Sequence, residues 1–126
     1  MTSEKYGSFG YMKNRGATTL WEYWNGAKSQ NHPMFGSVVK YLFYGVAGIR
    51  YSPGFRSIII RPALYGGLND LKCTLTRPNV TVNAHYYKQD QTEIYEVSYS
   101  GTAEVAVELN GKTISLSSDK PVRLQK

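Results

Sequence analysis

The sequence predicts a mainly β protein with an α-helical N-terminal part, and three observations carry that prediction. From residue 55 onward the apolar residues fall in short runs and alternations of strand length, cut by turn residues. Between Phe35 and Val46 they recur instead at helical spacing. Near the end, Asn110-Gly111 stands between two alternating runs, the pair that a two-residue hairpin turn favours. The composition changes at "YSPGFR", residues 51–56, so a helical part over 1–54 and a β part over 55–126 are expected.

Taken in order, "GATTLWEYWNG" (residues 16–26) is a mostly uncharged aromatic stretch with Glu22 set among Trp21, Tyr23 and Trp24. "PMFGSVVKYLFYGVAGI" follows, and its apolar residues Phe35, Val38, Val39, Leu42, Phe43 and Val46 form a core-facing helical stripe. Asn31 is the expected cap, Pro33 suits the first turn, and Gly48 is the expected stop. Gly36 and Gly45 each weaken the helix by about 1 kcal/mol relative to Ala, which points to close packing against something. "RSIIIRP", "VTVNAHYY", "EIYEVSYS", "AEVAVEL" and "KTISL" read as strands. A type I′ turn at Asn110-Gly111 would pair Val107 with Ile114 and Val105 with Leu116. The second part is therefore an antiparallel sheet or sandwich. One apolar helix cannot enclose a helical core, so it either lies on the sheet or belongs to a larger helical domain.

Bulk properties exclude several function classes. The chain has 126 residues, 41% hydrophobic and 19% charged, which is globular in composition. No run reaches the roughly 18 apolar residues of a membrane helix, so no membrane partner is expected. "MTSEKYGSFG" has no apolar signal region, so no export signal is expected within these residues. Cys73 is the single cysteine, which excludes an internal disulfide and a multi-cysteine metal site. The net charge of +6 is scattered: six Lys/Arg against two Glu before residue 55, nine Lys/Arg against seven Asp/Glu after it. Scattered charge of this kind describes a solvated surface, and no nucleic-acid partner is expected.

Glu22 is the candidate for chemistry. Glycoside hydrolysis uses two carboxyl groups, about 6.5–9.5 Å apart when the reaction inverts configuration and a water must fit between them. Aromatic walls stack on sugar C–H groups and tune the carboxyl. Glu22 with Trp21 and Trp24 has that character, although half-buried scaffold aromatics look the same in sequence. His32, in "NHPMFGS", suits either a sugar hydroxyl or a helix cap. His85 sits in an apolar strand and reads as a packed or surface residue. The two histidines lie far apart in the chain, so no metal site is expected, and no cofactor fingerprint is present.

Three blocks in fixed order, "YGSFGYMKNRGATTLWEYWNG", "SQNHPMFGSVVKYLFYGVAGI" and "PGFRSIIIRP", carry a resemblance. They resemble the C-terminal region of bacterial α-L-rhamnosidases, glycoside hydrolase family 78, from about Tyr6 to Pro62. A weaker likeness runs on through "GLNDL" and "TAEVAVEL". The resemblance implies that residues 1–54 are the end of an (α/α)6 barrel and residues 55–126 a C-terminal β-sandwich. It implies an inverting hydrolase acting on terminal α-L-rhamnose of glycosides or polysaccharides, without a cofactor. The glutamate of the family's "TTLWE" motif, its general base, falls on Glu22. The histidine of its "NH" motif, which contacts rhamnose, falls on His32, and the motif's tryptophans fall on Trp21 and Trp24, assigned to the pocket wall.

Two departures matter. The loop "YWNGAKSQN" is short, and no motif matches the family's upstream general acid, since Glu4 and Glu22 are the only carboxylates before residue 55. Losing the acid costs about 10²–10⁴ in rate. The expectation is a C-terminal fragment, inactive by itself and completed by the missing barrel portion or a second chain. The alternative is a non-catalytic carbohydrate-binding or structural β-sandwich module.

Overall fold

The computed structural model describes residues 3–126, apart from the side chain of Phe35. The chain divides into two compact units, one ending at Lys40 and one running from Tyr41 to Lys126. In the first, α1 (Phe9–Asn14) is capped by Ser8, whose Oγ accepts from the Tyr11 amide at 3.1 Å. Met12 turns inward from it, 3% exposed. Between α1 and the helical segment that starts at Pro33, this unit is a loop.

The expected single helix after Asn31 is instead a run of three windings: a 3-10 segment Pro33–Ser37, an α turn Val38–Tyr41 and a π turn Leu42–Val46. The widened end is marked by the Ala47 amide, which donates to the Leu42 carbonyl at 2.9 Å. Two glycines and adjacent β-branched valines give the backbone little reason to hold one regular winding. Asn31 does not cap it. His32 occupies the capping position, with no side-chain bond to the helix from there. Gly48 does end it, at φ +68°, and only glycine fits, because a Cβ there would lie 2.0 Å from the Arg61 carbonyl oxygen. Along the expected stripe, Phe43 packs on the core of the second unit, while Val39 and Leu42 are 47% and 42% exposed. Phe35, the first residue of that stripe, lies outside the described side chains.

The second unit is mostly β, as the sequence predicts. Its strands are β1 (Ile49–Tyr51), β2 (Ser57–Ile60), β3 (Asp70–Arg77), β4 (Val80–Gln89), β5 (Thr92–Gly101), β6 (Glu104–Leu109), β7 (Lys112–Ser115) and β8 (Val122–Gln125). They form two four-stranded sheets, ordered β1-β2-β6-β7 and β3-β4-β5-β8. Pairing is antiparallel except between β2 and β6, which run parallel with Ile58 opposite Val105 and Ile60 opposite Val107. The hairpin at Asn110-Gly111 has the expected register, Val107 opposite Ile114, and Leu116 donates to the Val105 carbonyl at 2.8 Å. Both turn residues take positive φ, 51° and 74°, as a type I′ turn requires.

Burial alternates along the long strands, so one face of each sheet enters a shared core. Ile49, Ile58, Ile60, Val105 and Val107 come from the first sheet; Val82, Ala84, Tyr86, Tyr95 and Val97 come from the second. Each buried aliphatic side chain contributes about 1.5–3 kcal/mol from the area removed from water. Tyr86 and Tyr95 are both 0% exposed and meet edge to face with centroids 5.5 Å apart. The Tyr86 hydroxyl donates to the Ala47 carbonyl at 2.9 Å, so the polar tip is satisfied inside the core.

Candidate active site

The residues singled out in the sequence lie in the first unit, on a loop closed on itself by backbone hydrogen bonds. The His32 amide donates to the Leu20 carbonyl at 2.7 Å, and the Glu22 amide donates to the Ser29 carbonyl at 2.8 Å. The Thr19 hydroxyl adds a bond to the Gln30 carbonyl. These ties lay the segment that carries Glu22 alongside the segment that ends at His32. Loop closure thus pairs Glu22 with Ser29 and His32 with Leu20, which puts both candidates on one closed loop.

The turn between the segments is set by short-range chemistry. Asn25 Oδ1 accepts from the Ala27 amide at 3.0 Å, an Asx turn, and the Tyr23 carbonyl accepts from Gly26 at 3.0 Å. Gly26 has φ +79°, and a Cβ there would come within 3.1 Å of the Trp21 ring. Trp21 is thus packed flush against the turn and is 8% exposed. Its ring fixes the loop more than it lines open space. Trp24 is half-buried, with its ring edge-on to Phe9 at 5.8 Å. Tyr23 is 46% exposed and carries the Lys28 ammonium 5.3 Å above its ring.

Glu22 is half-buried, and its Oε2 accepts from the Ser29 amide at 3.3 Å. One carboxylate oxygen is thereby pinned by the opposing segment, and Oε1 is left for other partners. His32 is half-buried at the head of the helical run and makes no side-chain capping hydrogen bond there. A cavity of about 260 Å³ in this unit is lined by Phe9, Met12, Ala17, Thr18 and Leu20 among others, without Glu22 or His32. Ser29 was not legible beforehand as the carboxylate's anchor, because a backbone amide has no sequence signature of its own. The Asn25-Gly26 pair is the local signal from which the turn could have been found. Among the described residues, no three His, Cys, Asp or Glu side chains gather so as to hold a metal ion.

Comparisons with known proteins identify the relatives of this chain. The family model for the bacterial alpha-L-rhamnosidase 6 hairpin glycosidase domain matches residues 1–46. An α-L-rhamnosidase of Alteromonas sp. (strain LOR) is 30% identical over 95 residues, covering 66% of this chain and 10% of the relative. One from Formosa agariphila is 29% identical over 119 residues, covering 83% of this chain and 13% of the relative. The solved α-L-rhamnosidase of Dictyoglumus thermophilum superposes with a TM-score of 0.65 at 35% identity, over 85% of this chain and 13% of that one. The Streptomyces avermitilis α-L-rhamnosidase solved with L-rhamnose shares the fold, with a TM-score of 0.64 at 24% identity over 84% of this chain. The chain thus spans between a tenth and an eighth of the length of these relatives. Through its sequence blocks and its β-rich fold together, the chain belongs with the bacterial α-L-rhamnosidases of glycoside hydrolase family 78 and corresponds to their C-terminal region.

Proposed function

We propose that residues 1–126 form the base-bearing C-terminal part of an inverting α-L-rhamnosidase that removes terminal α-L-rhamnose from glycosides or polysaccharides. The observation that carries this reading is the tethered Glu22: its Oε2 is held by the Ser29 amide, on a loop that also closes at His32. A general base must present one oxygen to water in a fixed direction. Pinning Oε2 limits rotation of the carboxylate and leaves Oε1 for the water proton.

In the reaction, Glu22 takes a proton from water as that water attacks the anomeric carbon from the face opposite the leaving group. The bond to the leaving oxygen breaks through an oxocarbenium-like transition state, and a general acid protonates that oxygen. His32 contacts a rhamnose hydroxyl, Trp24 forms part of the wall, and Trp21 backs the loop from behind. The general acid and most of the sugar pocket come from residues outside 1–126, in the rest of a longer chain or in a second chain. We accordingly expect these residues alone to lack turnover. Residues 1–54 would be the end of the (α/α)6 barrel and residues 55–126 the sandwich.

The test is hydrolysis of p-nitrophenyl α-L-rhamnoside by the purified chain beside Glu22→Ala. Neither should turn over. Turnover by the chain that disappears in Glu22→Ala would show that an acid lies within these residues and would overturn the fragment reading. A non-catalytic sugar-binding module would behave differently: sugar binding would survive Glu22→Gln and fall with Trp21→Ala or Trp24→Ala.

A further inference from the structure

The outward face of the second sheet carries polar groups that the Glu22 loop does not use. Val82, Ala84 and Tyr86 of β4 turn into the core, so Asn83, His85 and Tyr87 turn outward. Register then sets Lys72, His85, Glu96 and Arg123 in one row across four strands. Thr74, Asn83 and Ser98 form the adjacent row. Lys72, His85 and Glu96 of the first row and Thr74, Asn83 and Ser98 of the second line a groove of about 320 Å³, with Pro121 in its wall.

The groups in this groove are fixed by one another. His85 Nε2 lies 2.8 Å from Asp70 Oδ2, so in the neutral ring Nε2 carries the proton and Nδ1 is an acceptor. Glu96 Oε2 lies 3.8 Å from that Nδ1, beyond hydrogen-bond length. In that neutral form two acceptors stand side by side with no shared proton, which suits a ligand bringing two neighbouring hydroxyl hydrogens. Glu96 is steadied on its other oxygen by the Tyr87 hydroxyl at 3.0 Å, with Arg123 Nε at 3.6 Å. Thr74 donates to Asn83 Oδ1 at 3.0 Å, which leaves the Asn83 amide hydrogens as donors. The Tyr87 ring packs on the His85 ring, centroids 4.7 Å apart at a tilt of 33°, and so holds the imidazole in place from outside the groove. Lys72 and Arg123 balance Asp70 and Glu96, so the patch has no net field with which to select an ion.

We propose that this face binds a neutral saccharide, with His85 Nδ1 and Glu96 Oε2 accepting from a vicinal diol and Asn83, Lys72 and Ser98 donating to the ring and its hydroxyls. Paired acceptors and paired donors in one shallow groove are what a polyhydroxylated, uncharged ligand requires. The site stands apart from the Glu22 reading and does not depend on it.

The experiment is an amide-resolved NMR titration of the 126-residue chain with neutral oligosaccharides built from rhamnosyl, glucosyl, galactosyl and mannosyl units. Shifts should gather at Lys72, Asn83, His85 and Ser98, with a Kd of about 1–10 mM for at least one sugar. Glu96→Ala and Asn83→Ala should each weaken binding about tenfold while the spectrum stays dispersed as in the parent chain. Added salt of about 0.5 M should leave the affinity within a factor of two. No shift with any sugar up to about 50 mM, or shifts that map away from these strands, would overturn the proposal. So would binding confined to an anionic polysaccharide and lost with added salt.

Discussion

Replacing Tyr86 by Phe tests the sandwich core at a single atom. The Tyr86 hydroxyl donates to the Ala47 carbonyl at 2.9 Å, and both residues are all but inaccessible, 0% and 1% exposed. In the variant the ring remains, edge to face with Tyr95, so the loss is confined to the hydroxyl. A buried acceptor stripped of its donor costs about 1–3 kcal/mol. In a unit of this size each 1 kcal/mol moves Tm by about 4–8 °C, so a fall of roughly 5–20 °C is expected by circular dichroism at neutral pH. The alkaline limb adds a second reading. Burial pushes the Tyr86 phenol well above its ordinary range, so the folded chain keeps a proton that the unfolded chain releases above about pH 10. That contribution is fully present below the unfolded pKa and is lost as pH rises toward the folded one. The variant has no such group, so its deficit should shrink at high pH. Burial raises the Tyr95 phenol as well, so some alkaline destabilisation remains in the variant. A Tm change below about 2 °C at neutral pH, with an unchanged alkaline slope, would refute the described packing of Tyr86 on Ala47.

Gly48→Ala places a Cβ against the Arg61 carbonyl in a left-handed backbone; a loss of about 3 kcal/mol or more in urea unfolding is expected, and a loss under about 1 kcal/mol would count against the close approach of these two residues. Val39 and Leu42 are exposed apolar residues, so the chain should self-associate, and Val39→Ser with Leu42→Ser should reduce the sedimenting oligomer without a stability change beyond about 0.5 kcal/mol. A monomeric parent chain would show that this apolar surface is not a contact. Burial pushes the Cys73 thiol up, so less thiolate is present at neutral pH. Alkylation by iodoacetamide should run slower than for a small free thiol, and the difference should vanish in urea; equal rates in the folded chain would contradict the burial.

The parts of the fold legible in sequence are those with local causes. The Asn110-Gly111 turn fixed the β6–β7 register by itself, because its two positive φ values admit few other residues. The runs "SIII", "VTVNAHYY" and "EIYEVSYS" are β-branched and aromatic enough to read as strands. β3 was missed because only Leu71, Cys73 and Leu75 carry its alternation, and Lys72, Thr74 and Thr76 between them are not strongly apolar or turn-like. β1 was not read as a strand, since the three residues after Gly48 carry no period. The parallel pairing of β2 with β6 joins residues far apart in the chain, a choice made by packing rather than by local pattern. In the loop, Glu22 and His32 were legible through their motif, whereas the Ser29 amide that holds the carboxylate is a backbone group and leaves no mark in the sequence.

The most direct measurement is the hydrolysis of p-nitrophenyl α-L-rhamnoside by residues 1–126 joined to the preceding barrel of a related α-L-rhamnosidase, with and without Glu22→Ala. If Glu22 activates the water, the substitution lowers kcat by about 10²–10⁴ while KM changes little. If the substituted enzyme keeps its kcat, Glu22 is scaffold, and the base lies elsewhere.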